Sequence, residues 1–439
     1  MSTSWNRREF IGGAASAGAA AGLFRPGAAQ AAGAGAGAAA PEKAKVAWPV
    51  WGEPEETELL EVLNSGQWGR GRAGRRLAEL EKALADRMRA RFCLATSSGT
   101  TALMTTMGAL GIGPGDEVIL PPYTFVATFN AITIGYALPV FVDVDPETFQ
   151  IDPNKIAAAI TPETRALLPV HIGGSPADIG AIGKVADAQK VPIIEDACQA
   201  LLAEVNGQPV GSAGLAGCLS FQASKNITSG EGGAILTNDE AFANLCHNFH
   251  TPGQPKSGAS PGRAANFRMT EFQAGLLLAQ LTRLEEQAKT RDANAAYLTE
   301  ALGQIPGIAP ARLVPGCTRS GWHLYMLRYE SPKFANLPRA RFLQELSRAG
   351  VAASGGYSSL NTSAHVRALA DNPRYKRVYG EAAMARWLEA NQCPVNDKLC
   401  REAVWFPQTT LLGTRADMTR IVETIADIQK RAGDLAAAG

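Results

Sequence analysis

Along the middle of this chain, short unbroken apolar runs alternate with stretches in which apolar residues recur every third or fourth position. Runs of the first kind read as buried strands, and stretches of the second kind as helices packed on them. The segments 92–96, 193–196, 215–221 and 234–237 are of the strand kind, and 53–64, 75–89 and the start of 102–107 are of the helix kind. Alternation from Phe92 to about Asp239 predicts a doubly wound α/β domain. A long helical stretch at 272–302 carries the predicted domain change in its middle, near 280–287. Beyond it, a strand at 322–329, a helix at 339–349 and a last helix at 417–432 predict a smaller α+β domain.

Three segments carry chemistry that the hydrophobic pattern alone does not require. Lys225 lies in Ser220-Phe221-Gln222-Ala223-Ser224-Lys225-Asn226-Ile227-Thr228-Ser229-Gly230-Glu231-Gly232-Gly233, a Ser/Gly-rich turn between two apolar runs. An amine held over a packed sheet is partly desolvated, which lowers its pKa and makes it a competent Schiff-base nucleophile. The plain alternative is a surface lysine in a glycine hairpin. Asp196 ends the short strand of Ile193-Ile194-Glu195-Asp196, where ligands bind in open α/β sheets. There it can pair with a pyridinium nitrogen or simply cap the next helix. Ser97-Ser98-Gly99-Thr100-Thr101 joins a strand to a helix, and its N–H groups can cradle a phosphate or serve as an ordinary cap. A phosphate cradle, a strand-end aspartate and a lysine, in that order, are what pyridoxal phosphate needs.

At this point the chain resembles the sugar aminotransferases of the DegT/DnrJ/EryC1/StrS family, from about Trp48 to Lys430. The resemblance is carried by Ser98-Gly99-Thr100-Thr101-Ala102-Leu103, Gly113-Pro114-Gly115-Asp116-Glu117-Val118-Ile119, Tyr123-Thr124-Phe125-Val126-Ala127-Thr128, Phe141-Val142-Asp143-Val144-Asp145, the Asp196 and Lys225 segments, and Asn266-Phe267-Arg268-Met269-Thr270-Glu271-Phe272-Gln273-Ala274. It implies a fold type I pyridoxal-phosphate transferase: a large α/β domain at 48–290 and a small C-terminal α+β domain at 291–439. It also implies that Lys225 carries the cofactor and moves the proton, and that Asp196 holds the pyridinium. Gln199 would contact the 3-hydroxyl side of the cofactor, Gly99, Thr100, Thr101 and Ser220 the phosphate, and Phe125 the ring face. Asn266 would reach the partner subunit's phosphate, so a homodimer with shared sites is expected. In one branch of the family a histidine replaces the lysine and the enzyme dehydrates sugars; the lysine here favours transamination.

Gly355-Gly356-Tyr357-Ser358-Ser359-Leu360-Asn361 stands where many relatives carry a His-Tyr-Pro-like stretch. With Cys393-Pro394-Val395, the segment 402–408 and Trp48-Pro49-Val50-Trp51, it is similar to the subgroup acting on keto-cyclitols such as scyllo-inosose or making aminohydroxybenzoate. The resemblance thus implies an acceptor of keto-sugar or keto-cyclitol type and an amino-acid donor, glutamate or glutamine. A related lyase or isomerase, and an exported non-catalytic sensor or binding protein on the same fold, are the other readings.

Composition narrows the rest. In 439 residues, 42 basic against 41 acidic side chains leave no nucleic-acid footprint. Seven cysteines and five scattered histidines show no metal-ligand spacing, so no metal is expected. At the start, Asn6-Arg7-Arg8-Glu9-Phe10-Ile11, a mildly apolar run and Ala29-Gln30-Ala31 resemble a twin-arginine export signal over 1–31, with a flexible linker at 32–47. Export to the periplasm is the expectation, with membrane anchoring if the signal stays uncleaved.

Overall fold

The computed structural model describes residues 47–71, 74–253, 255, 256 and 260–437. The twin-arginine leader and nearly all of its linker lie outside the described residues.

Among the described residues two amphipathic helices come first, α1 (Glu53–Ser65) and α2 (Arg75–Arg87). On α2, Leu77, Leu80 and Leu84 recur at three- and four-residue spacing, and all three are buried. The central sheet follows as β1 (Phe92–Thr96), β2 (Glu117–Leu120), β3 (Leu138–Phe141), β4 (Thr164–Leu167), β5 (Ile194–Asp196), β6 (Ala216–Ser220) and β7 (Gly233–Thr237). Hydrogen bonding orders it as β1-β7-β6-β5 and β3-β2-β4, and the parallel bridges Leu167–Ile193 and Val170–Asp196 tie the two groups together. β2 runs parallel to β3 and β4 through helical crossovers, and β5 runs parallel to β6 across a helix-free connection that carries the short hairpin 204–209. One such helix, α3 (Gly99–Ala109), leaves β1, and another, α4 (Val126–Thr133), follows β2. Only β7 is reversed, antiparallel to both β6 and β1. The chain passes from β6 to β7 through the Lys225 loop, with no helix between them to carry it back across the sheet.

The helical stretch expected at 272–302 is two helices, α5 (Glu271–Leu281) and α6 (Leu284–Leu302), with Thr282 and Arg283 between them. The Thr282 hydroxyl donates back to the Ala279 carbonyl at 2.7 Å. The Arg283 guanidinium is drawn to Glu55 of α1 and to the Val50 carbonyl. These tertiary partners leave no mark in the local sequence.

After α6 an antiparallel sheet is built from β8 (Ile308–Pro310), β9 (Leu324–Tyr329) and β10 (Ala403–Pro407), in the order β8-β9-β10. Tyr325, Leu327, Tyr329, Val404 and Phe406 point into one core with Met418, Ile421 and Ile425 of α7 (Arg415–Lys430). Leu324 and Trp405, flanking that core face, stand on the cavity side instead.

Candidate active site

A cavity of about 580 Å³ opens at the ends of β5, β6 and β9, beside the N-terminus of α3. Gly99, Thr100, Phe125, Asp196, Gln199, Ser220 and Lys225, which come from four separate stretches of sequence, all line it. Two of the singled-out residues do not. The Thr101 hydroxyl is turned to Ser97 and Ser98, where it completes a capping box. Asn266 lies on the segment beside the end of β1, where Phe267 accepts from Ser97 N–H at 2.7 Å.

The α3 end of the cavity is formed by close backbone approach. A Cβ on Gly99 would stand 2.7 Å from Ser220 Cβ and 2.8 Å from Cys198 Sγ, so only glycine lets this helix start sit on the strand ends. The Ser98 side chain takes the Thr101 N–H, and the Ser98 carbonyl takes that of Ala102. The first N–H groups of the helix, at Gly99 and Thr100, are left to the cavity their residues line. With the positive end of the helix dipole behind them and the Ser220 hydroxyl alongside, they suit a phosphate.

Opposite, Asp196 is buried, and both carboxylate oxygens are engaged. Thr128 donates its hydroxyl to Oδ2 at 2.8 Å, and Cys198 N–H donates to Oδ1 at 3.2 Å. Thr124 and Thr128 hydroxyls are 2.7 Å apart, so the carboxylate ends a short hydroxyl chain. The strand end is fixed from below by a fully buried pair, His171 Nε2 to Glu195 Oε2 at 2.9 Å. His171 Nδ1 accepts from Ala177 N–H, so Nε2 carries the proton and donates to Glu195. Burial opposes the charge on Glu195, but His171 and the N–H groups of Gly211 and Gly214 hold its carboxyl below the usual range.

Lys225 reaches into the cavity until its Nζ is 3.5 Å from His323 Nε2. Burial pulls the amine below the ordinary lysine value, and Cys198 and Asp196 pull it back in part. His323 is pushed well below the usual imidazole value by burial, with the charges of Lys225 and Arg291 acting the same way. Its ring is therefore neutral, and at that distance it can accept a hydrogen bond from the amine. The loop around Lys225 is anchored by Asn226 Nδ2 to the Gly321 carbonyl at 2.6 Å and by Gln273 Nε2 to the Glu231 carbonyl at 2.8 Å.

The outer wall is aromatic. Tyr357 packs edge-on against Trp405, ring centroids 4.5 Å apart, and Trp405 donates its indole N–H to the Tyr123 hydroxyl at 3.0 Å. Gly356, at φ +78°, turns the chain there; a Cβ would come within 2.8 Å of the Tyr123 oxygen. Gln199 accepts from Gly173 N–H through Oε1, so its amide nitrogen must donate, and it does so to the Tyr357 hydroxyl at 3.0 Å. Burial pushes that phenol up to about 12, so it keeps its proton and has it free for the cavity.

His323, Thr128, Trp405 and the hydroxyl of Tyr357 were not singled out from sequence. For His323 the signal was faint: one of five scattered histidines, in a segment read as a strand.

The DegT/DnrJ/EryC1/StrS aminotransferase family model matches residues 50–426. The L-glutamine:2-deoxy-scyllo-inosose aminotransferase of Streptoalloteichus tenebrarius is 35% identical over 411 residues, covering 89% of this chain and 96% of that one. Among solved structures, 3-amino-5-hydroxybenzoic acid synthase superposes with a TM-score of 0.77 at 31% identity, over 90% of this chain and 100% of that one. NtdA from Bacillus subtilis, solved with bound cofactor PMP, superposes at 0.71 with 28% identity, over 86% and 81% of the two chains.

Proposed function

Because the chain belongs to the DegT/DnrJ/EryC1/StrS aminotransferase family and is a pyridoxal-phosphate-dependent aminotransferase, we propose that it moves the amino group of L-glutamine onto a keto-cyclitol. The observation that carries the reading is one cavity in which the Lys225 amine, the Asp196 carboxylate and the free start of α3 face a common space. When bound, pyridoxal phosphate supplies an electron sink for the carbanion formed at the donor's α-carbon. Asp196 would hold its ring nitrogen, Gly99, Thr100 and Ser220 its phosphate, Phe125 its ring face, and the Gln199 N–H its phenolic oxygen. Lys225 Nζ would carry it and move the proton at the reacting carbon, with neutral His323 alongside. Asn266, on the segment beside the α3 end, would complete the phosphate site of a second copy, which makes the working form a homodimer.

For the acceptor, the Tyr357 proton, the edge of Trp405 and the narrow turn at Gly356 suit a compact polyhydroxylated ring. The names of similar proteins, L-glutamine:2-deoxy-scyllo-inosose aminotransferases, point the same way. Stopped-flow absorbance of the loaded protein tests the pair of substrates. L-glutamine should convert the cofactor, and 2-deoxy-scyllo-inosose should restore it. We expect its kcat/KM to exceed that of a nucleotide-linked keto-sugar by about a hundredfold or more, the scale of polar-group discrimination. The opposite ranking would overturn the cyclitol assignment and leave the aminotransferase standing.

We also propose that residues 1–31 direct export by the twin-arginine route, read through Arg7 and Arg8. That route carries folded proteins, so an enzyme loaded with a cytoplasmic cofactor could cross intact. A reporter fused to residues 1–40 should be exported with the native pair and retained when both arginines are changed to lysine. Equal export of the two, or export in a host lacking the pathway, would sink the assignment.

A further inference from the structure

The segment that enters the fold at Trp48 touches the active-site loop, a contact that pairing in the sheets does not explain. Trp48 Nε1 donates to the Ala223 carbonyl at 2.9 Å, across 175 positions of sequence. Ala223 stands two residues before Lys225, and Asn226, one residue after it, is tied to Gly321. The lysine is thus pinned on both sides, by Trp48 on the outer side and by the Gly321 carbonyl on the inner. Within the loop Lys225 N–H donates to the Gln222 carbonyl at 2.8 Å, so a shift at Ala223 passes directly to the lysine backbone.

Trp48 is itself held firmly. Its ring lies 5.9 Å from the guanidinium carbon of Arg291, a side chain with no exposed surface. Arg291 donates twice to Gln408 Oε1, at 3.1 and 2.6 Å, and Gln408 N–H donates to the His323 carbonyl at 3.0 Å. Two residues on, the Val50 carbonyl accepts from Gln280 Nε2 at 2.7 Å and from Arg283 Nη1 at 3.2 Å, at the break between α5 and α6. One indole therefore joins the loop that bears Lys225 to the wall that bears His323, and the α5–α6 break clamps the strap from behind.

We propose that Trp48 is a positioning residue for the reaction: it fixes the aim of Lys225 at His323 and at the cofactor by holding the Ala223 carbonyl. The inference rests on Lys225 being the cofactor's carrier.

The test uses the full-length protein with W48F and W48A. W48F keeps a ring over Arg291 and removes only the N–H that Ala223 accepts; W48A removes both. In W48F the backbone amides of residues 222–226 should exchange with solvent about 3- to 10-fold faster, and the cofactor should bind about 3- to 10-fold more weakly to the stripped protein, as expected for one lost hydrogen bond. In W48A both effects should be larger, with kcat falling more than KM changes. Unchanged exchange at 222–226 and unchanged cofactor affinity in W48F would overturn the proposal, even if its melting temperature fell. Borohydride fixation with peptide mapping on the same samples separates the two premises. A label on a lysine other than Lys225 rejects the carrier assignment, whereas a label on Lys225 with a W48F that behaves as the unchanged protein rejects the strap alone.

Discussion

Lys225→Ala gives a folded protein that takes up the cofactor without covalent attachment and has no measurable transamination. The loop keeps its shape because its anchors are other groups, Asn226 on Gly321, Gln273 on Glu231 and Trp48 on Ala223. Among the described residues, the variant loses the one side chain that brings an amine into the cavity with Asp196 and His323. General acid–base transfer alone is worth about 10²–10⁴ in rate. Losing the covalent carrier as well puts the expected fall at or beyond the upper figure. Borohydride treatment of the unchanged protein should label Lys225 and no other lysine, and residual turnover above about one per cent in the variant would reject the assignment. Hybrids extend the test to the second copy. Mixing inactive Lys225→Ala with inactive Asn266→Ala subunits should restore activity, since one of the two sites in each heterodimer then has both residues. Confirmed heterodimers without activity would show that the sites are not shared.

What could be read before folding, and what could not, divides by distance along the chain. Asp196, Lys225 and the Gly99 turn were singled out because each stands at or just beyond the end of a buried run, the place where open α/β sheets bind ligands. Lys225 was expected on a strand-to-strand connection, but the direction of β7, antiparallel to β6, was not read from the pattern. Thr128, Tyr357 and His323 were illegible as partners because the hydrogen bonds that give them meaning span 68, 158 and 98 positions. Nothing near a threonine in a helix says that an aspartate will meet it. Thr101 shows the converse: a hydroxyl in the right local context was assigned to phosphate by resemblance, yet its geometry has it closing the cap of α3. The break at Thr282 escaped the pattern because neither glycine nor proline marks it; Arg283 is drawn to Glu55, which lies far back in the chain.

Asp196→Asn should produce the second large loss, and for a reason that separates charge from shape. Asparagine fills the same volume at the end of β5, and its carbonyl can still accept from Cys198 N–H or from the Thr128 hydroxyl, so the strand end should stay in place. The variant loses the negative charge. A ring nitrogen facing a neutral amide is no longer held protonated, and the electron sink on which proton removal depends is weakened. Removing one preorganised electrostatic partner of a developing charge costs about 2.7–4 kcal/mol, or about 10²–10³ in kcat. The half-reaction with L-glutamine should slow by that factor, and the cofactor should dissociate more readily, while the circular dichroism and melting temperature stay close to those of the unchanged protein. Turnover within about threefold of the unchanged rate would remove Asp196 from the mechanism. A collapse of the fold would instead make the buried Thr124–Thr128–Asp196 chain a structural element, which a Thr128→Val variant, folded and active, would then rule out.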